Sequence, residues 1–556
     1  MNKYVTPALI DVVVDGYGII QVEAGSTLEQ LIARLDMQDK DMVMAGMVNN
    51  NLVDLNYYLN ESDQVKLITV KSDIGLRVYR RSAVFLLIVA ARMEFPERKM
   101  TVKHSLSNGL LCEFVDGETN DAEVKKLETR MRTLVEMDIP IHRNTVMREQ
   151  AIEIFSRQQQ FDKAKLLEVR EKPVVHVYEL DGWYEYFYGY MVPRTGMVSN
   201  FKLINYPPGI ILQTPESNNP TVIEPYVEQK QLARVFREAR DWSEMLQTPH
   251  VAALNDIIAN GNIEEIIRVN EALHEKKIAY IADQICQQQE ARLVLISGPS
   301  SSGKTTFAQR LLIQLRVNGR RPVLISMDNY FVDRALTPRD ENGDYDFESL
   351  QALKLDLFNS HLISLIQGEE VEIPIYNFKT GVCDPKGIPI KVNLGQPIIV
   401  EGIHALNDEL TWLIPAEQKF RVYISALTQL NIDYSNRIPT TDSRLIRRIV
   451  RDARTRGYSA ADTISRWPSV RAGEQKYIFP YQENAEVMFN SSLVYELAVL
   501  KPYAEPLLQA ISPEADEYVE AKRLLKFFSY FKPISGEPVP PNSIIREFIG
   551  GSWFKA

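Results

Sequence analysis

"GPSSSGKTT", residues 298–306, follows the apolar run "ARLVLIS" (291–297) and leads into "TTFAQRLLIQLRVNG" (305–319). The latter repeats its apolar positions at helical spacing and closes on a glycine. Gly298, Gly303, Lys304 and Thr305 fit the pattern Gly-x4-Gly-Lys-Ser/Thr without deviation. Strand, glycine loop and helix in that order form a phosphate-binding arrangement. The glycines let backbone N–H groups turn inward, and the helix N-terminus adds partial positive charge where phosphate oxygens sit. Gly298, Pro299, Ser300, Ser301, Ser302, Gly303, Lys304, Thr305 and Thr306 are therefore expected to bind nucleotide. Lys304 is expected to reach the β and γ phosphates and the Thr305 hydroxyl to ligate Mg²⁺, which makes ATP and Mg²⁺ the expected cofactors. A glycine-rich turn without a ligand is the plain alternative.

Downstream, "RRPVLISMDNYF" (320–331) ends an apolar run with Asp328, and "QPIIVEG" (396–402) ends another with Glu401. In an open parallel sheet the C-terminal ends of strands face the ligand crevice. A carboxylate at Asp328 can take the proton of an acceptor hydroxyl as it attacks the γ-phosphate. A solvated loop aspartate is the competing reading. Glu401 stands where an acid would hold Mg²⁺ through water. In "TTDSRLIRRIVRDARTRG" (440–457), Arg444, Arg447, Arg448 and Arg451 recur at helical spacing, so several share a face. A solvated helix or a nucleic-acid patch is the alternative to a lid that clamps phosphates and neutralises the transferring group.

Seven segments occur in the order seen in the uridine kinase and phosphoribulokinase family: the P-loop, "MDNYF", "YDFESLQAL", "IPIYNF", "IIVEGIHAL", "DSRLIRRIVRD" and "YIFPYQENA". Residues 291–495 resemble that family. The resemblance implies a P-loop kinase fold with a parallel sheet and Asp328 as general base for a nucleoside 5′-hydroxyl. It further implies Phe331, Glu348, Tyr376 and Arg448 on the acceptor, and Arg451 and Arg456 on the phosphates. Two positions depart from uridine kinases: Gly381 stands for a base-contacting histidine, and Tyr458 for an arginine after the lid's "RG". Losing polar partners in a pocket weakens discrimination, so the identity of the base does not follow.

The chain has 556 residues, too many for one core, and a net charge of −10. That charge argues against broad coating of nucleic acid or anionic membrane. Three widely spaced cysteines fit neither a disulfide framework nor a zinc cluster. The N-terminal residues lack a signal-peptide pattern, and "AVFLLIVAA" (83–91) is too short to span a bilayer, so a buried helix and a cytoplasmic protein are expected.

Residues 8–70 read as a small α/β unit: hairpin strands "IDVVVDG" and "GIIQVEAG", capped helix "STLEQLIARL", closing strand "DQVKLITV". Helices are expected over "DAEVKKLETRMRTLVEM" and "REQAIEIFSRQQQFDKAKLLEV", and strands over "VVHVYEL" and "WYEYFYGYMV". Residues 8–225 resemble the N-terminal region of threonyl-tRNA synthetases, a TGS domain and then the second additional domain, carried by "HRNTVMREQAIEIF" and "PRTGMVSNFKLINYPPGI". The four metal-type positions of that family's editing site fall on Arg81, Phe85, Phe187 and Met191, which implies a scaffold kept without its hydrolytic chemistry. His104, His142 and His176 are scattered and read as structural or solvated.

The expected architecture is multidomain α/β: a TGS-like domain at 1–70, a synthetase-like domain at 71–227, a helical connector at 228–290, a P-loop kinase domain at 291–500 and a helical tail at 501–556. The leading functional expectation is an ATP-dependent nucleoside kinase. Its alternatives are a kinase of another hydroxyl substrate such as a sugar phosphate, and an RNA- or tRNA-binding regulator whose P-loop senses ATP. A small-molecule nucleoside is the expected partner, with RNA or tRNA contact through the N-terminal region and a homo-oligomer as further expectations.

Overall fold

The computed structural model describes residues 8–339, 343, 345–377 and 380–554. The last residue of the "IPIYNF" segment, Phe378, lies outside them, as do the first seven residues. The N-terminal unit is a five-stranded sheet in which Leu9–Val14 pairs antiparallel with Gly18–Glu23 and parallel with Gln64–Thr69. Helix Leu28–Arg34 starts on a capping box between Thr27 and Gln30. Strands Val43–Val48 and Asn51–Val53 complete the sheet and have no strong alternating signature in sequence.

The next region wraps helix α1 (Asp73–Glu94), most of whose side chains are buried, in a four-stranded antiparallel sheet and helix Asp121–Glu136. The apolar stretch 83–91 is core of this helix. Among the described residues no helix is long and apolar enough to cross a membrane. Two expectations need correction. The segment 148–169 is two helices, Arg148–Arg157 and Phe161–Glu168, broken where Gln159 takes a left-handed φ of 59°. In "WYEYFYGYMV" only Trp183–Glu185 pairs as a strand; beyond it Tyr186 and Phe187 turn into the core.

Helices Lys230–Met245, Val251–Ala259 and Ile263–Gln287 form the connector. The last lies along helix α2 (Lys304–Val317), with Glu275 accepting from Arg310 at 2.7 Å and Asp283 from Asn318 at 2.7 Å. The kinase-type sheet contains β1 (Leu293–Ser297), β2 (Val323–Ser326), β3 (Ile398–Glu401), β4 (Lys419–Ser425) and β5 (Val487–Asn490). Their spatial order is β2-β3-β1-β4-β5 and every pairing is parallel. β1 and β3 are buried throughout, as a sheet covered on both faces requires.

Helix α3 (Thr440–Thr455) and helix α4 (Ala460–Tyr477) follow β4. Helix α5 (Glu496–Gln509) runs across the boundary expected at residue 500 and is followed by α6 (Tyr518–Phe528) and the short α7 (Arg546–Ile549). One continuous apolar core joins Ala151, Phe155 and Tyr186 with the connector, the kinase-type sheet and the C-terminal residues Ile544 and Phe548. The late position of the P-loop therefore does not separate it from what precedes it.

Candidate active site

β1 delivers the chain to a loop whose shape depends on its glycines. A Cβ on Gly298 would stand 2.0 Å from the Ile424 carbonyl oxygen, and Gly303 takes a φ of +85°. Ser301 is also left-handed, at 59°. The outward carbonyls are held from behind: Arg444 donates to Ser300 O at 3.2 Å, Arg447 to Ser301 O at 3.3 Å, and the Ser491 hydroxyl to Ser302 O. The Ser300 amide is tied to the same side, donating to Glu474 at 3.1 Å, and the Ser302 amide donates to Pro299 O within the loop. The amides of Ser301, Gly303, Lys304 and Thr305 meet no acceptor among the described residues. The Ser301 and Ser302 hydroxyls are buried without a partner. Such orphaned donors are what a polyphosphate satisfies.

Lys304 donates to the carbonyls of Gly298 and Pro299 at 2.9 and 3.2 Å. Burial pushes its pKa below the usual value, against the pull of Glu401, Asp328 and Glu547. Asp328 sits in the 3-10 turn Met327–Tyr330 directly after β2, open to the cleft yet enclosed by its walls. That enclosure raises its pKa, while Lys304, Arg456 and Arg451 draw it down. Glu401 closes β3 and accepts a hydrogen bond from Ser326 at 3.0 Å. Burial, with Asp328 adding to it, pushes its pKa up to about 7. Two neighbouring carboxylates beside the cradle suit a Mg²⁺ ion, which takes one or two protein carboxylates and completes its shell with phosphate oxygens and water. Among the described residues no three His, Cys, Asp or Glu side chains form a self-sufficient metal site. The Thr305 hydroxyl, in the first turn of α2, carries no protein hydrogen bond among the described residues and completes that donor set.

The arginine helix divides its work in a way its spacing does not reveal. Arg444 and Arg447 do not reach the cleft: they are fully buried, paired with Glu474 at 2.7 Å and Glu496 at 2.5 Å. Their expected place on the lid face is corrected to the back of the P-loop. Arg448, Arg451 and Arg456 surround buried Asp452 at 3.3, 2.8 and 3.7 Å. Arg448 also donates to the Ser300 hydroxyl at 2.8 Å.

Among the residues expected on the acceptor, Glu348 packs on Gly473 of α4, where a Cβ would come within 2.5 Å of its side chain. Burial and the charge of Glu474 raise its pKa to about 7, and Arg448 opposes them. Buried His404 lies against the Glu348 backbone with neither ring nitrogen in a well-formed hydrogen bond. Phe331 and Tyr376 form a second group, their rings 5.5 Å apart. Gly381 has a φ of +77°, and a Cβ there would lie 2.8 Å from the Arg334 Nε, so a guanidinium fills that space. Tyr458 is exposed and stacked under Arg466.

Sequence reading missed the supports Glu474 and Glu496 and the neighbour His404, although "IIVEGIHAL" contains the last. It also missed Glu547 of α7, whose carboxylate accepts from the Thr306 hydroxyl at 2.7 Å. Nothing in the run "IIREFIGG" signals that contact.

The synthetase-like region brings its four marked positions together without metal-type donors. Phe85 and Phe187 meet edge to face at 5.8 Å, Met191 shares their core, and Arg81 donates to the Tyr190 carbonyl at 2.5 Å.

Comparison with known proteins divides the chain in two. Residues 293–497 match the Phosphoribulokinase / Uridine kinase family. The N-terminal region matches threonine–tRNA ligases: one from Desulforamulus reducens is 29% identical over 190 residues, which is 34% of this chain and 29% of that protein. Threonine–tRNA ligase 1 of Bacillus subtilis is 31% identical over 186 residues, 33% of this chain and 28% of its own length. The chain thus spans less than a third of these curated relatives. Among solved structures, "a Possible Uridine Kinase" from Bacillus stearothermophilus aligns with a TM-score of 0.26 and 19% identity, covering 39% of this chain and 98% of its own. The chain carries a P-loop kinase domain similar to the phosphoribulokinase and uridine kinase family, behind a region similar to threonine–tRNA ligases.

Proposed function

We propose that the protein is an ATP-dependent kinase that transfers the γ-phosphate to the 5′-hydroxyl of a nucleoside. The observation that carries this reading is the meeting of Lys304, Asp328 and Glu401 at the C-terminal edge of a parallel sheet, beside a loop with orphaned inward donors. The loop from Gly298 to Thr306 holds the donor phosphates. Lys304 exchanges its two loop carbonyls for phosphate oxygens. Asp328, raised by its enclosure and drawn toward its charged form by Lys304, Arg456 and Arg451, receives the proton of the acceptor hydroxyl. Arg451 and Arg456, oriented by Asp452, neutralise the charge of the transferring group, and Arg448 with Glu348 positions the acceptor. Thr305 and Glu401 would hold Mg²⁺, which would supply positive charge to screen the donor phosphates.

A second reading, phosphorylation of an anionic hydroxyl acceptor such as a sugar phosphate, is favoured by the Arg334 guanidinium that occupies the space beside Gly381. Incubating the protein with Mg²⁺, ATP and panels of nucleosides and sugar phosphates, with products identified by mass, separates the two. Lys304→Ala is expected to abolish turnover with the fold intact, because Lys304 fills no core. Near-normal turnover of that variant removes Lys304 from the mechanism, and ADP release that depends on no acceptor favours an ATP-sensing regulator.

A further inference from the structure

The first intrahelical bond of α2 runs from Phe307 N to Gly303 O, so the amides of Lys304, Thr305 and Thr306 precede any helical partner. Among the described residues two of them meet no acceptor. The third, Thr306, donates to Glu547 Oε2 at 3.4 Å, and the same oxygen accepts from Thr306 Oγ1 at 2.7 Å. A negative charge supplied 241 residues further along the chain thus sits on the helix N-terminus that the P-loop presents to phosphate.

This carboxylate is held in place. Ile544, Ile545 and Phe548 around it are buried. Ile544 closes on Gly303, its Cγ2 only 2.6 Å from where a Cβ would stand. Arg454 donates to the carbonyls of Glu547 and Phe548 at 2.7 and 3.0 Å, and the Arg447 guanidinium lies 5.1 Å from the Phe548 ring centre. The preceding part of the C-terminal segment is fastened to the N-terminal regions. Asn50 donates to the carbonyls of Pro513 and Ala515 at 2.8 Å, Lys522 to Asn51 at 2.9 Å, and Arg77 faces Glu520 at 3.5 Å. One stretch of chain therefore touches both the synthetase-like half and the phosphate cradle.

A carboxylate and a phosphate oxygen compete for one amide, and like charges at that separation repel. We propose that the C-terminal segment is an internal competitor of the nucleotide: Glu547 occupies a phosphate seat at Thr306 and is displaced when a polyphosphate binds. The proposal rests on reading residues 298–306 as a nucleotide cradle. It makes donor affinity dependent on the seating of residues 536–554, and so on the contacts that fasten this segment to the N-terminal half.

The test measures binding of ATP and of inorganic tripolyphosphate, each with Mg²⁺, by calorimetry on the full chain and on Glu547→Gln and Glu547→Ala. Thermal unfolding of the ligand-free proteins and hydrogen exchange of residues 536–554 complete it. The proposal expects both variants to bind both probes roughly tenfold tighter, as removal of a competing charge-assisted hydrogen bond allows, with the unfolding temperature little changed. It also expects exchange in 536–554 of the unmutated protein to rise on ligand binding. Equal or weaker binding by the variants, or unchanged exchange, overturns the competitor while leaving the cradle standing. If neither the unmutated chain nor the variants bind ATP or tripolyphosphate, the cradle reading fails and the competitor fails with it.

Discussion

Three carboxylates near the P-loop share a chemistry and differ in surroundings, which separates their roles. Asp328 lies in the cleft facing Lys304 and two arginines, Glu401 is sealed at a strand end, and Glu348 is packed against α4. Asp328→Asn keeps size and polarity but cannot take a proton. It is expected to retain ATP affinity and lose roughly 10²–10⁴-fold in kcat, the usual worth of a general base. Asp333, five positions on, accepts from the Cys383 amide at 3.3 Å, and its Asn variant is expected to change turnover little. Acceptor-dependent ADP release and calorimetric ATP binding check both; a damaging Asp333→Asn would relocate the base. Glu401 supports a pH prediction. Its folded pKa of about 7 exceeds the usual 4.5, so between those values the folded chain holds a proton that the unfolded chain has released. Stability from this group is therefore lost as pH rises through that window. In Mg²⁺-free buffer, Glu401→Gln should flatten the fall in unfolding temperature between about pH 5 and 7.5. A parallel fall in both proteins would contradict the assignment.

At the scale of elements, α3 shows how one helix can brace a loop from behind and reach over it in front. Its periodicity sets the arginines on neighbouring faces but does not say which face meets carboxylates. Arg447 and Glu496 are both fully enclosed, and each depends on the other for its charge to be tolerated there. Arg447→Met leaves Glu496 buried without its partner and is expected to destabilise the kinase-type region by about 3–5 kcal/mol. Arg451→Met, on the cleft side, is expected to cost little stability and to lower turnover. Urea unfolding followed by hydrogen exchange in 293–497, set beside turnover, separates the two effects; equal destabilisation would mean that both arginines are structural.

At the scale of the whole molecule, the synthetase-like and kinase-type parts meet at a buried ionic cluster. Lys163 lies 3.0 Å from Glu185 and 3.5 Å from Asp433, and it donates to Ser435 at 3.0 Å. Burial alone would lower the pKa of Lys163, but Asp433, Glu185 and Asp162 more than offset it and hold the ammonium charged. Hydrogen bonds between Val102 and Tyr434, and between Asn436 and Tyr186, extend the junction. Lys163→Met leaves two carboxylates facing each other, and exchange in 142–186 and 430–437 is expected to rise together. A rise confined to one side would show that the parts are not coupled through this cluster. Phe85, Phe187 and Met191 pack in the core at positions where the resemblance to threonyl-tRNA synthetases implies metal-type donors, so purified protein is expected to carry no stoichiometric zinc and to leave mischarged threonine tRNA intact. Elemental analysis and a deacylation assay check this.

Features that a contiguous stretch encodes are legible along the chain. The P-loop, the buried β1 and β3, the parallel sheet and the strand-end positions of Asp328 and Glu401 follow from apolar runs, glycine placement and helical spacing, all of which act over a few residues. Which arginines of α3 brace the loop, that Arg334 fills the space at Gly381, and that Glu547 sits on Thr306 emerge only on folding. Those choices rest on charges and close contacts between residues tens to hundreds of positions apart. The energy of such a pair depends on burial and distance, neither of which leaves a periodic trace in the chain. The inner strand Val43–Val48 and the edge strand Asn51–Val53, the latter too short for any alternation to register, escaped reading for the same reason: partners in space, not their own pattern, make them strands.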